Sequence, residues 1–208
     1  MAGLIQPRPQ DLLRLSQPLD AVPEDAPAWV ATALRAAPWV VVRRAAASEG
    51  QVAVGVRGTA RAERFAMQIP ETAVTEVLSP EALAMRAATM RPALPVARTL
   101  RAAAALLGEA GLPWGPTGSV GFELASGVRT VRASSDLDLL VRPTRLPARA
   151  TLKRLHVALR RLPARVDCQI EIDDGAIALG DLLSGARDVL VRTPTGPRLI
   201  PAPWPQAA

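Results

Sequence analysis

The sequence predicts an α+β protein of two units, and three observations carry that expectation. In the first ninety residues, "WVVVRRA" from Trp39 and "QVAVGVRG" from Gln51 read as paired strands. From Val96 onward a helix, a glycine-rich turn, a strand, a second helix and a second strand follow one another. Between these stretches the proline-bearing "MRPALP" interrupts both patterns, which places a boundary near Arg91 to Pro95 and divides the chain into residues 1–92 and 93–208.

In "PEDAPAWVATALRAAP", proline and acids precede Trp29, Ala33 and Ala37 at helical spacing, so a short helix ends before Pro38. The next two runs form a hairpin through Ser48, Glu49 and Gly50, with Val52, Val54 and Val56 alternating in its second strand. This makes the first unit a small α/β domain. "SPEALAMRAA" begins a helix, with Ser79 as cap, Pro80 at the first position and Glu81 in the first turn. After the boundary, Val96, Leu100, Ala104 and Leu107 form one apolar stripe that Gly111 terminates. "LPWGPTGSVGFELASG", with glycines at 115, 118, 121 and 127, reads as a loop-rich segment. A strand follows at Leu137, Leu139 and Val141, then a helix on Leu152, Leu155, Leu159 and Leu162 with a basic outer face. A further strand places Val166, Cys168, Ile170 and Ile172 on one side.

The 208 residues are 49% hydrophobic, enough for one good core or for a small domain beside a medium one. No apolar run is long enough for a membrane span, and the N-terminus lacks the zones of a signal peptide, so a soluble cytoplasmic protein is expected. Cys168 is the only cysteine, which excludes an internal disulfide and a thiolate metal cage. The net charge of +6 is almost entirely arginine, since Lys153 is the only lysine. An arginine-rich composition by itself specifies no partner. With 3% aromatic residues there is no stacking platform for single-stranded nucleic acid, and no nucleic-acid partner is expected.

Chemistry concentrates in "SSDLDLLVRP". Asp136 and Asp138 stand at i and i+2, on the side of a strand opposite its apolar face. Two like charges so close need a proton or a cation between them. On the later strand Asp167, Gln169, Glu171 and Asp173 make the polar side, and Asp167 joins the pair if the strands are neighbours. Three carboxylates suit magnesium, which takes oxygen ligands and completes its shell with water and phosphate. Upstream, Gly118 and Ser119 sit in a turn whose backbone N–H groups can hold phosphate oxygens. A solvated acidic strand face is the competing reading of the acids.

These motifs, "TGSVGFELASG", "SSDLDLLV" and "RVDCQI", resemble the polymerase-β-type nucleotidyltransferase superfamily. With "VAVGVRGTARAERFA" they look more specifically like the phosphoribosyl-dephospho-CoA transferases of malonate decarboxylase, over most of the chain. The resemblance implies a polymerase-β-like catalytic domain with a mixed sheet at 93–208 and a substrate-binding domain at 1–92. It implies attachment of 2′-(5″-phosphoribosyl)-3′-dephospho-CoA to a serine of the malonate decarboxylase acyl-carrier protein. The donor is then triphosphoribosyl-dephospho-CoA, and pyrophosphate leaves. Position by position, Asp136 and Asp138 match the metal-binding acids and Asp167 the third carboxylate, with Glu171 in reserve. Gly118 and Ser119 match the phosphate-holding turn, and Ser135 adjoins the acids as a further substrate-binding candidate. The interval from Ser119 to Asp136 is longer than the superfamily pattern, so an extra excursion is expected there.

Arg57, Arg61 and Arg64 can grip the triphosphate or the coenzyme A diphosphate, against the alternative of ordinary surface ion pairs. Gly55 and Gly58 suit either a close approach to ligand or simple turns. His156 and Cys168 read as structural, Trp29 and Trp39 as core, Trp114 as a pocket wall and Trp204 as part of a surface tail. Two rivals remain: a nucleotidyltransferase acting on another protein or a small-molecule hydroxyl, and a non-enzymatic carrier-protein or nucleic-acid binder. The second gains nothing from clustered negative charge.

Overall fold

The computed structural model describes residues 6–60 and 62–204. The first unit is a five-stranded sheet with one helix. Its strands are β1 (Leu12–Leu15), β2 (Trp39–Val42), β3 (Gln51–Arg57), β4 (Arg64–Pro70) and β5 (Val74–Leu78), in the order β4-β3-β2-β1-β5; helix α1 (Ala28–Ala36) lies between β1 and β2. The hairpin is β2 on β3, with Val41 opposite Gly55. Every pairing here is antiparallel, so the unit lacks the parallel crossover of the expected α/β domain. The chain returns through hairpins and one helix, and hairpins set neighbours antiparallel.

The two faces of this sheet have different partners. Leu13, Val40, Val42, Val54 and Val56 pack with Val30 and Leu34 of α1 in one core cluster. Leu12, Trp39 and Leu78 face the other way and belong to the core of the second unit. Strand alternation thus divides the sheet between a private core and an interface.

The second unit begins with α2 (Pro80–Ala84), where the Ala82 N–H donates to Ser79 Oγ at 3.2 Å, and α3 (Pro95–Glu109). β6 (Trp114–Pro116), α4 (Gly118–Ser126), β7 (Leu137–Val141), α5 (Arg149–Leu159) and β8 (Val166–Ile172) follow. β9 (Gly175–Ala178), α6 (Leu179–Leu182), β10 (Asp188–Thr193) and β11 (Gly196–Pro201) complete it. The strand order is β11-β10-β9-β8-β7-β6. Only β7 and β8 are parallel, joined by α5, so the sheet is mixed. Leu83, Ala87 and Met90 lie in this unit's core. The architecture is α+β with two sheets. Among the described residues no helix is long and apolar enough to cross a membrane.

The glycine-rich segment is a strand and a helix rather than a loop. Val120 and Leu124 provide a buried i, i+4 pair on α4, and Gly127 ends it in the left-handed conformation, φ 73°. Gly121 serves close packing: a Cβ there would lie 2.7 Å from the Pro116 carbonyl oxygen. Trp204 is half-buried against the main core, not draped on the surface, and Trp114 packs against that core too.

Candidate active site

The site is assembled where α4 begins. β6 pairs antiparallel with β7, placing Pro116 opposite Leu139, and the Thr117 N–H donates to the Asp138 carbonyl at 2.9 Å. This pins the helix mouth beside the Asp138 side chain. Gly118 opens α4 with φ 58°, a conformation that disfavours a Cβ, and a Cβ there would run into the Asp138 carboxylate. Gly118→Ala is therefore expected to displace the Asp138 carboxylate and lower divalent-cation affinity by roughly 10–100-fold, the usual effect of disturbing a ligand's support. A manganese titration read by EPR checks this; unchanged affinity would show that the close approach has no bearing on the acids.

The parallel register sets Asp138 directly opposite Asp167, and Asp136 lies two residues earlier on the same side. Asp136, Asp138 and Asp167 each bring a carboxylate oxygen within 4.8 Å of the others. Asp136 and Asp138 are half-buried, whereas Asp167 is exposed and has Arg165 at 3.6 Å. Burial raises the Asp138 carboxyl above its ordinary range, and the charges of Asp136 and Asp167 raise it further; Arg57 and Arg64 pull the other way. The three acids accordingly repel one another at a partly desolvated point. An all-oxygen donor set of this charge fits a hard divalent cation.

Arg57 and Arg64 stand opposite each other at the ends of β3 and β4. Both line a cavity of about 510 Å³ between the two units, where Thr117 and Gly118 form part of the opposite wall. Arg61 lies outside the described residues. Ser119 does not line that cavity; its carbonyl accepts from Thr130 Oγ1 at 3.0 Å. Ser135 Oγ accepts from the Arg132 N–H at 3.0 Å, shaping the turn before Asp136. The expected excursion between Ser119 and Asp136 consists of α4 and a return strand of chain held by Glu123, whose carboxylate accepts from the Thr130 and Val131 N–H groups and pairs with Arg91 at 3.2 Å.

Glu171 is not with the other acids. Further along the same face of the sheet it pairs with Arg44 at 2.8 Å, Arg8 at 2.9 Å and Arg142 at 2.8 Å. Arg142, its side chain 3% exposed, also reaches Asp11 at 3.1 Å, Glu81 at 3.2 Å and the Pro9 carbonyl at 2.6 Å. Although Arg142 Nε lies close to Glu171, it is not aligned for a hydrogen bond. One strand face thus carries repelling acids at one end and a compensated charge network at the other. Sequence reasoning missed this network because its members are up to 163 residues apart. The signal available was Arg142 itself, in phase with Asp136 and Asp138.

Cys168 is buried, and burial with the neighbouring Asp167 charge pushes its thiol up to about 12, so it is no nucleophile at neutral pH. Partial burial and Arg160 lower His156 below its ordinary value, leaving a neutral side chain on α5. A Cβ at Gly58 would meet Glu63 and Trp29, which assigns that glycine to packing.

Residues 8–80 match the family model described as the phosphoribosyl-dephospho-CoA transferase MdcG N-terminal domain, and residues 82–203 that described as its C-terminal domain. A curated relative from Pseudomonas putida named phosphoribosyl-dephospho-CoA transferase is 43% identical over 198 residues, covering 95% of each chain. One of the same name from Pseudomonas aeruginosa is 45% identical over 198 residues, 95% of this chain and 94% of the relative. Another, from Azotobacter vinelandii, is 40% identical over 205 residues, 97% and 96% of the two chains. No solved structure matches the chain. With both units matched and relatives aligned almost end to end, the chain belongs to the phosphoribosyl-dephospho-CoA transferase family and is a transferase.

Proposed function

We propose that the protein transfers 2′-(5″-phosphoribosyl)-3′-dephospho-CoA from its triphosphoribosyl precursor to a serine of the malonate decarboxylase acyl-carrier protein, releasing pyrophosphate. The observation that carries this is the meeting of Asp136, Asp138 and Asp167 beside the glycine-initiated helix α4. The relatives' shared name supports the transferred group, and the resemblance of the motifs to polymerase-β-type nucleotidyltransferases supports the reaction type.

Asp136 and Asp138, with Asp167, would hold magnesium. When bound, that ion supplies charge neutralisation to the triphosphate and polarises its phosphorus–oxygen bonds. The chain's own groups account for the rest. Asp167, the most exposed of the three, accepts the proton of the carrier serine as its Oγ bonds to the α-phosphorus. The bond from that phosphorus to the bridging oxygen breaks, and the electron pair leaves with pyrophosphate. The unpaired N–H groups of the first turn of α4, which begins at Gly118 and Ser119, would donate to the phosphate oxygens. Arg57 and Arg64, whose charges already reach Asp138, attract the incoming triphosphate.

The test is incubation of the protein with donor, magnesium and carrier subunit, followed by weighing the carrier. A mass gain equal to the phosphoribosyl-dephospho-CoA group, mapped to one serine, is expected. A carrier of unchanged mass in the presence of intact donor would overturn the assignment.

A further inference from the structure

The cavity between the two units has a floor of unusually small residues. On β3 and β4, Gly55 pairs with Ala66, and an ideal Cβ at Gly55 would point at Val41 Cγ1 and the Arg43 stem, 3.4 and 3.6 Å away. These side chains therefore share the sheet face turned toward the second unit. Leu12, Val41 and Arg43 border the small pair, while Leu83, Pro116, Gly121 and Phe122 close the opposite wall. At about 510 Å³ the space lies within the ~300–1,000 Å³ typical of small-molecule sites, and its walls are mainly apolar. Gly118 borders both this cavity and Asp138. The cavity thus adjoins the acidic centre through Gly118.

The backbone at Gly55 has no need of glycine. Its φ is not positive, and its ideal Cβ meets only ordinary van der Waals contacts. A glycine that neither conformation nor packing requires, opposite an alanine and under a cavity, leaves room for something else.

Resting on the function proposed above, we infer that this cavity is the subsite for the adenosine of the donor, with Gly55 and Ala66 as its size-determining floor and Phe122 in its wall. Connectivity selects that part of the molecule. The phosphate that reacts is carried on the 5″ position of a ribose joined directly to the adenosine 2′-oxygen. Adenosine is therefore one pentose from the acids, whereas the pantetheine arm lies beyond a further diphosphate. On the sheet, Gly55 is two residues from Arg57, about 7 Å. That separation accommodates the transferred pentose between a phosphate at Arg57 and the adenosine's own ribose above Gly55, with the base beyond it toward Phe122. Arg43, on the far side of the floor, then faces the diphosphate that leads out to pantetheine.

The experiment measures donor KM and kcat together with direct calorimetric binding of ADP, 3′-dephospho-CoA and 4′-phosphopantetheine. It uses the full chain, Gly55→Val and Ala66→Leu. ADP and 3′-dephospho-CoA are expected to bind the unsubstituted protein, and both substitutions to weaken them at least about tenfold, as added methyl groups do in a filled pocket. Donor KM rises correspondingly while kcat changes far less, and manganese binding at the acids is retained in both variants, which also reports that they fold. Binding of 4′-phosphopantetheine in place of ADP, with the same dependence on Gly55, overturns the assignment in favour of the pantetheine arm. Unchanged KM and unchanged ADP binding in a folded variant overturn it outright. If the unsubstituted protein modifies no carrier, the function fails, but calorimetry still decides whether the cavity takes a nucleotide.

Discussion

Asp138→Asn is expected to reduce transfer by roughly 10³-fold or more, equivalent to about 4 kcal/mol of transition-state stabilisation. Asparagine keeps the shape and the contacts of the backbone with Thr117 but removes a negative charge from the centre of the acidic group, opposite Asp167. The loss should be accompanied by a gain in stability without divalent ions. In the cation-free protein, burial and the two neighbouring acids hold the Asp138 carboxyl above its ordinary value of 3.8, so its ionised form is disfavoured by folding. That penalty is absent below the unfolded value and complete once pH exceeds the folded one. The melting temperature of Asp138→Asn should therefore overtake that of the unsubstituted protein as pH rises through this acidic window, and added magnesium should stabilise only the latter. Activity within tenfold of the original, or a variant less stable at neutral pH without metal, contradicts the assignment.

Arg142→Ala should cost about 3–5 kcal/mol of folding stability, the range for removing one partner of a buried ion pair. Its guanidinium touches Asp11, Glu81, Glu171 and the Pro9 carbonyl, and Asp11 is only 2% exposed. Burial already raises the Asp11 carboxyl, with Arg142 and the Arg8 N–H opposing that shift. Without Arg142 the acid must keep a proton or remain ionised and uncompensated. Against a total of about 5–15 kcal/mol, such a loss leaves little margin. Urea unfolding at constant m-value measures it, and a change below about 1 kcal/mol would show that water replaces the guanidinium. Adding Asp11→Asn should recover part of the loss, because the coupled charges do not contribute independently.

Much of the site was readable one-dimensionally because strand alternation is a local property. Asp136 and Asp138 had to share a side once Leu137, Leu139 and Val141 were recognised as core, and the same rule on β8 put Asp167 and Glu171 on its polar side without choosing between them. Helices with an explicit start signal, such as Ser79 with Pro80, were equally legible. Segments without contrast were not. β6 and α4 carry three glycines between 115 and 121, so the buried Val120 and Leu124 of α4 were obscured, and β11 is an edge strand whose side chains are largely exposed.

The sequence alone determined the α+β class and the Asp136–Asp138 pair, because each depends on neighbours within a few residues. The tertiary structure decided that Asp167 rather than Glu171 completes the group, since only the β7–β8 register brings one opposite Asp138 and leaves the other among Arg8, Arg44 and Arg142. It also decided that Arg57 and Arg64 act on Asp138 and that Gly55 lies beneath a cavity. Those relations join residues from separate sheets, and charge and steric exclusion depend on distance in space, which spacing along the chain does not encode.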